Sequence, residues 1–355
     1  MMSVFEKIRE FISDPDIAID LGTAKTRIYA SGMGIIADEP SIAEISDENN
    51  DVGNVITYHR HPDTDMSKCY TITPLRGGVV VHKSAAISLL KPLFKRGHRF
   101  GLIRPRVLAC APTDSTEGER NALVESIVGA GASMVSVIPE PLAAAIGGKL
   151  DLYSPYARMV VDIGGGVTDT AVIRGGCIVA SVATRIACSD IQSAVNRMLL
   201  QHYHFSPFPG ETVRMIQDMV LFEVSQQDSM VRAAGINECG EEITMEIRIQ
   251  DVIDASMPIL MKIIDPICHI LAELPDREYG ELIENGICLT GGGAYIKCMD
   301  KLIETKTSFD VFSALDPAHS VIHGASQIVG IPDWWKIAYW PTTSTASLSY
   351  NDLLK

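Results

Sequence analysis

Residues 158–176 read RMVVDIGGGVTDTAVIRGG, and this stretch decides the fold. An apolar run ends at Asp162, a glycine turn follows at Gly164, Gly165 and Gly166, and a second apolar run returns. The chain carries the same phrase earlier. IAIDL (17–21) contains Asp20 and runs into Gly22 and Thr23, and TRIYASG (26–32) leads back. Each copy predicts a buried strand, a tight turn and a returning strand. After the first copy, RVLACAP (106–112) and MVSVIPEP (134–141) read as strands. Helical spacing covers 83–96, and also 114–130 entered through Thr113 and Asp114. LAAAIGG reads as a short helix closed by glycine. After the second copy come helices over 189–204 and 211–226, a hairpin over 236–250 and a long helix over 251–273 bent at Pro258 or Pro266. GICLTGGGA (286–294) is a strand, a glycine loop and a helix start, and SVIHGASQIVG (320–330) a last helix. Two similar α/β lobes facing each other is the simplest reading.

Working outward, lobe I spans 15–150 with an insertion at about 35–75, its centre the polar stretch 46–70. Lobe II spans 151–330 with an insertion at about 190–255, and the final helix at about 318–330 is expected to pack back on lobe I. Residues 1–14 form an amphipathic helix, and 331–355 an aromatic tail with Trp334, Trp335, Tyr339 and Trp340.

The 355 residues are 46% apolar and 21% charged, which excludes wholesale disorder. Mean hydropathy is +0.15, yet no stretch approaches 18 consecutive apolar residues, which argues against a spanning helix. Thirty basic and 44 acidic side chains give a net charge of −14, so the general field repels nucleic acid and anionic lipid. The eight cysteines show no C-x-x-C pair and no zinc spacing. Cys110 and Cys288 lie in apolar runs, as small reduced core residues do, which points to a cytosolic compartment.

A strand that ends in Asp-x-Gly and turns straight back leaves free backbone N–H groups at its tip. Glycine lets that tip approach an anion, and such N–H groups cradle phosphates. The aspartate is placed to hold Mg²⁺ through its water shell. One copy alone reads as an ordinary β-turn. Two copies, with the third glycine loop Gly291-Gly292-Gly293 after a strand, point to a polyphosphate gripped from both sides.

IDLGTAKT (19–26), IPEPLAAAIGG (138–148), VVDIGGGVTDTAVI (160–173) and GICLTGGG (286–293) together resemble the phosphate-1, connect-1, phosphate-2 and adenosine motifs of the actin superfamily. The resemblance is nearest to bacterial actins of the MreB type. It extends through ADEPSIAEI (37–45), PRVLACAP (105–112), GAGASMVSVIPEP (129–141) and SVATRIA (181–187), covering roughly 16–330. It implies an α/β, actin-like ATPase fold: two lobes, each with a duplicated RNase-H-like core, and a nucleotide cleft between them. ATP with Mg²⁺ would sit there, GTP being the alternative. Asp20 and Asp162 would hold the metal's water shell. Gly22, Thr23, Ala24 and Lys25 would line one phosphate hairpin, Gly164, Gly165 and Gly166 the other, and Gly291, Gly292 and Gly293 the adenosine loop. Glu140 would position or deprotonate the attacking water; taken alone it reads equally as a turn or cap residue.

The chain also departs from the family pattern. Lys25 stands where Asn is usual, and Cys188-Ser189 replaces a Gly-Asp pair at the ribose side, leaving Asp190 as the substitute. The purine-side helix begins at Asp218 and has Leu221 in place of its lysine, and LRGGVVVHK (75–83) lacks two aspartates. The phosphate side is kept better than the base side. The resemblance further implies homopolymer filaments formed by head-to-tail stacking. It implies attachment to the inner face of the membrane through Phe5, Ile8, Phe11 and Ile12 or the aromatic tail. Shape-complex or cargo proteins would be partners, and nucleic acid would not. The helix charges Glu6, Lys7, Arg9 and Glu10 cancel, so attachment would rest on apolar side chains; the alternative for both ends is packing on the body. The function implied is a cytoskeletal ATPase in cell-shape determination. The alternatives are a slow scaffold positioning a cargo, and a non-polymerising actin-fold ATPase or sugar kinase.

Overall fold

Ile17–Leu21 (β1) is buried at every position, as a strand covered on both faces must be. The structure, a computed structural model, describes residues 15–46, 55–56, 69–97, 104–152, 154–219 and 229–336. β1 pairs antiparallel with β2 (Lys25–Ala30), which pairs antiparallel with β3 (Gly34–Pro40). Short strands β4 (Ala43–Ser46), β5 (Val55–Ile56) and β6 (Cys69–Ile72) make a small separate sheet, and β7 (Leu75–Arg76) and β8 (Val79–Val80) a hairpin. After helix α1 (Lys83–Lys95), β9 (Arg106–Ala111) joins β1 in parallel. After helix α2 (Glu117–Ala130), β10 (Met134–Pro139) joins β9 in parallel, and α3 (Glu140–Gly147) follows at once.

Lobe II repeats this plan. β11 (Arg158–Ile163), β12 (Thr168–Arg174) and β13 (Cys177–Thr184) form an antiparallel meander. Helix α4 (Cys188–Tyr203), strand β14 (Phe205–Pro207), helix α5 (Glu211–Asp218) and the hairpin β15 (Met230–Asn237) with β16 (Glu242–Arg248) follow. α6 (Ile249–Glu273) and α7 (Asp276–Asn285) lead to β17 (Ile287–Thr290), parallel to β11. α8 (Met299–Thr307), β18 (Val311–Ser313), parallel to β17, and α9 (Ser320–Val329) complete the lobe. The sheet orders β3-β2-β1-β9-β10 and β13-β12-β11-β17-β18 are the same topology twice.

Strand periodicity sets which side chains face the partner lobe. Ile17, Ile19 and Leu21 point into the lobe I core with Leu90, Phe94 and Ile127. Met159, Val161 and Ile163 point into the lobe II core with Ile263, Ile264 and Leu302. The alternate residues Ala18, Leu108, Val160 and Ala171 meet in a third cluster between the lobes, with α3 and α9. Asp20 shares the Ala18 face, Asp162 the Val160 face and Asp169 the Ala171 face, so all three aspartates belong to the side turned toward the other lobe. α9 packs on α3 and on β1, β2 and β9.

Several boundaries differ from the sequence reading. The excursion expected from about residue 35 starts later, because 34–40 is an integral strand of the sheet. α2 is entered at Thr116, whose hydroxyl accepts from the Glu119 N–H at 3.2 Å while Glu119 accepts from the Thr116 N–H at 2.8 Å. Thr113 and Asp114 are unavailable as caps because both are spent on lobe II. The helix expected over 211–226 ends at Asp218, where Met219 turns extended. α6 is long and apolar enough to cross a membrane, with mean hydropathy 1.4, but it is a core helix whose Val252, Leu260, Ile263, Ile264 and Ile267 are buried within lobe II. Residues 331–336, expected as part of the tail, include a side chain that belongs to the core. Trp334 is fully buried and donates from Nε1 to Asp16 Oδ2 at 2.9 Å, and the Arg106 guanidinium lies 3.3 Å from the Trp335 ring centre. The helix expected at the N-terminus with Phe5, Ile8, Phe11 and Ile12, most of 46–70, Leu221, Tyr339 and Trp340 lie outside the described residues.

Candidate functional site

Each glycine turn is closed by the same bond: the Gly22 N–H donates to the Lys25 carbonyl at 3.1 Å, and the Gly164 N–H to the Val167 carbonyl at 2.9 Å. The two tips meet. A Cβ on Gly165 would lie 2.7 Å from that of Ala24, and one on Gly166 would overlap the Thr23 side chain. Glycine is therefore required by the approach of two hairpins, one from each lobe. Gly291, at φ +80°, and Gly293 lie flat on Ile163 at the end of β11, leaving no space for a side chain, while Gly292 opens outward. The sequence expected all these glycines at one place, and the fold brings them there.

Beneath the tips sits a set of buried carboxylates. Asp20 is 7% exposed and accepts from Arg27 Nη1 at 3.1 Å; burial raises its pKa against the pull of that guanidinium. Asp162 accepts from Thr290 Oγ1 at 2.7 Å, and burial pushes it up to about 6, with Asp20 adding to the rise. Glu140 opens α3 between Pro139 and Pro141, fully inside the protein rather than in an exposed turn. Burial raises it well above the carboxylate range; Asp20, Asp162 and Asp169 push the same way, and Arg185 opposes them. Asp169, which sequence reasoning missed, faces Asp162 across the ladder and accepts from the Thr113 N–H and Oγ1, both at 2.6 Å. Burial pushes it up to about 7. The one signal for it was a charged residue inside a returning strand that is buried at all but its last position.

Three expected residues have other partners. Lys25 pairs with Asp38 at 3.1 Å, and Asp38 also lies 3.3 Å from Arg27 Nε. Asp190 turns back to accept from the Ala187 N–H at 2.9 Å, capping its own helix, and the ribose contact expected of it would have to displace that bond. Ser189 bonds the Gly165 carbonyl through its N–H at 2.9 Å and through its hydroxyl, tying α4 to the second hairpin. Asp218 ends α5 and pairs with Lys297 at 3.4 Å, just past the Gly291 loop. Cys188 and Cys288 are pushed up to about 12 by burial and are inert thiols.

Two lobes of one topology that set Asp-x-Gly hairpins tip to tip above buried acids define a protein of the actin superfamily. The MreB/Mbl protein family model matches residues 14–334, and the chain belongs to that family. It is an MreB-type, actin-like cytoskeletal protein of the cell-shape-determining group. The cell shape-determining protein MreB of Pasteurella multocida is 33% identical over 342 residues, covering 93% of this chain and 97% of that protein. The cell shape-determining protein Mbl of Bacillus subtilis is 29% identical over 316 residues, covering 87% and 94%. MreB5 of Spiroplasma citri, solved bound to AMPPNP, superposes with a TM-score of 0.78 at 26% identity, covering 88% of this chain and 95% of that one. The MamK double helical filament shares the fold, with a TM-score of 0.71 at 16% identity over 89% and 99% of the two chains.

Proposed function

We propose that this protein binds ATP between its lobes, hydrolyses it slowly and assembles with copies of itself into filaments on the cytoplasmic face of the membrane, in service of cell shape. The tip-to-tip meeting of the two glycine hairpins above Asp20 and Asp162 carries this reading. Relatives support it: Spiroplasma citri MreB5 is solved with AMPPNP and with ADP, and MamK as a double helical filament.

The donor set suits Mg²⁺. Among the described residues no three His, Cys, Asp or Glu side chains stand together as a direct metal cage. Mg²⁺ needs none, since it keeps waters and binds through one or two carboxylates and the phosphates. Asp20 and Asp162 would hold it, and when bound it neutralises phosphate charge. Backbone N–H groups at the hairpin tips, Thr23 and Ala24 on one side and Gly165 and Gly166 on the other, would orient the phosphates. Glu140 would position the attacking water and take its proton in the ionised form, which burial disfavours. GTP is the alternative ligand.

Pelleting with electron microscopy, with and without ATP, tests assembly; a protein that stays monomeric across salt and concentration overturns the filament. Glu140→Ala is expected to keep nucleotide binding and to lose phosphate release by about 100-fold or more. Unchanged release removes Glu140 from its role. Deleting residues 2–12 is expected to abolish co-sedimentation with liposomes, and retained binding moves the anchor elsewhere.

A slow scaffold that positions a cargo is the second reading. The bond from Ser189 to Gly165 and the capping bond of Asp190 favour it, since both occupy groups expected at the ribose.

A further inference from the structure

Arg185 stands just past the end of β13 in lobe II, yet its guanidinium is spent on lobe I. Nε and Nη2 fork onto the Asp114 carboxylate at 2.8 and 2.9 Å. Nη1 donates to the Gly77 carbonyl at 2.5 Å, and Nη2 lies 3.5 Å from Glu119, the capping acid of α2. The neighbour of Asp114 makes the return stitch: Thr113 donates twice to Asp169 of lobe II. The neighbour of Gly77 reaches the nearer hairpin, since the Gly78 N–H donates to Thr23 Oγ1 at 2.8 Å. The Gly77–Gly78 turn is packed closely against both lobes. A Cβ on Gly78 would press on Pro112 and Val167, and one on Gly77 on the Arg185 stem. Arg185 and Asp114 are 29% and 35% exposed, so the pair is only partly screened by water.

We propose that Arg185 is a positioning residue that locks the two lobes across the phosphate cleft through its fork on Asp114, and so sets how fast a bound nucleotide leaves. The rate claim rests on the nucleotide reading above. A ligand gripped by both lobes departs only when they part, and parting breaks the Arg185 fork and the Thr113–Asp169 stitch together. A planar fork on a carboxylate is directional, and a lysine cannot reproduce it.

The full chain is loaded with a fluorescent ATP analogue and chased with unlabelled ATP. Arg185→Gln is expected to raise the off-rate about tenfold, the scale of one charge-assisted pair. Arg185→Lys keeps the charge without the fork and is expected to fall between that variant and the parent. Asp114→Asn, nearly the same shape, opens the pair from the lobe I side. The double variant is expected to be no faster than the faster single one. Off-rates within about twofold of the parent, or additive single effects, overturn the lock. Amide exchange without nucleotide supplies a second reading. Thr113, Ser115 and the first turn of α2 are expected to exchange faster in Arg185→Gln, and unchanged exchange overturns the lock. A parent protein that fails to bind the analogue rejects the nucleotide reading instead, and the exchange comparison still decides the lock.

Discussion

Asp169 shows what burial does to a single side chain. It has no exposed surface, and its two short bonds from Thr113 do not offset the loss of water. The folded protein holds this proton to about pH 7, and that of Asp162 to about pH 6, whereas the unfolded chain releases both near 3.8. Between those values the folded state binds more protons, so stability falls as pH rises. The ligand-free protein is expected to melt a few degrees higher at pH 5.5 than at pH 7.5, and Asp169→Asn is expected to flatten that slope. A slope of opposite sign, read by calorimetry, refutes the assignment. The depressed acids Asp38, Glu119 and Asp316 do not compete in this window, since their stabilisation is lost only as pH falls toward 4 and below. Asp20, Asp162 and the glycines were legible because each sits in a motif whose meaning is local. Asp169 and Arg185 were not, because their partners stand 56 and 71 residues away.

At the scale of elements, the strand periods and glycine turns were readable, while helix boundaries moved wherever a side chain had a distant appointment. Thr113 and Asp114 resemble a helix entry until lobe II claims them; the N-cap then falls to Thr116. Helices α3 and α9 show another feature that no local pattern reveals. A methyl on Gly324 would overlap the Ala143 carbonyl, and one on Gly147 the Ser320 carbonyl. The two backbones therefore touch where the lobes join, and the contact admits hydrogen only. Gly324→Ala is expected to cost at least about 3 kcal/mol, the top of the usual overpacking range, because backbone cannot yield as a side chain does. Urea denaturation measures it, and a midpoint equal to that of the parent contradicts the packing.

For the whole molecule, the duplicated sheets turn alternate faces outward to their own helices and inward to each other, so one repeat generates both cores and the set of buried acids between them. That duplication was visible in the two Asp-x-Gly phrases; the closure of the body by Trp334 was not, since an aromatic cluster near the end of a chain suits a membrane or a groove equally well. The bond from Trp334 to Asp16 has a practical consequence. It pins the last described turn beside the first described strand, so two segments 318 positions apart are neighbours in space. A short linker joining the two segments would then be strain-free, and a circular permutant reopened in the polar stretch 46–70 is expected to fold with the parent's melting point to within a few degrees. A permutant that fails to fold would show that the threading order, beyond the final contacts, is needed to bring the two lobes together.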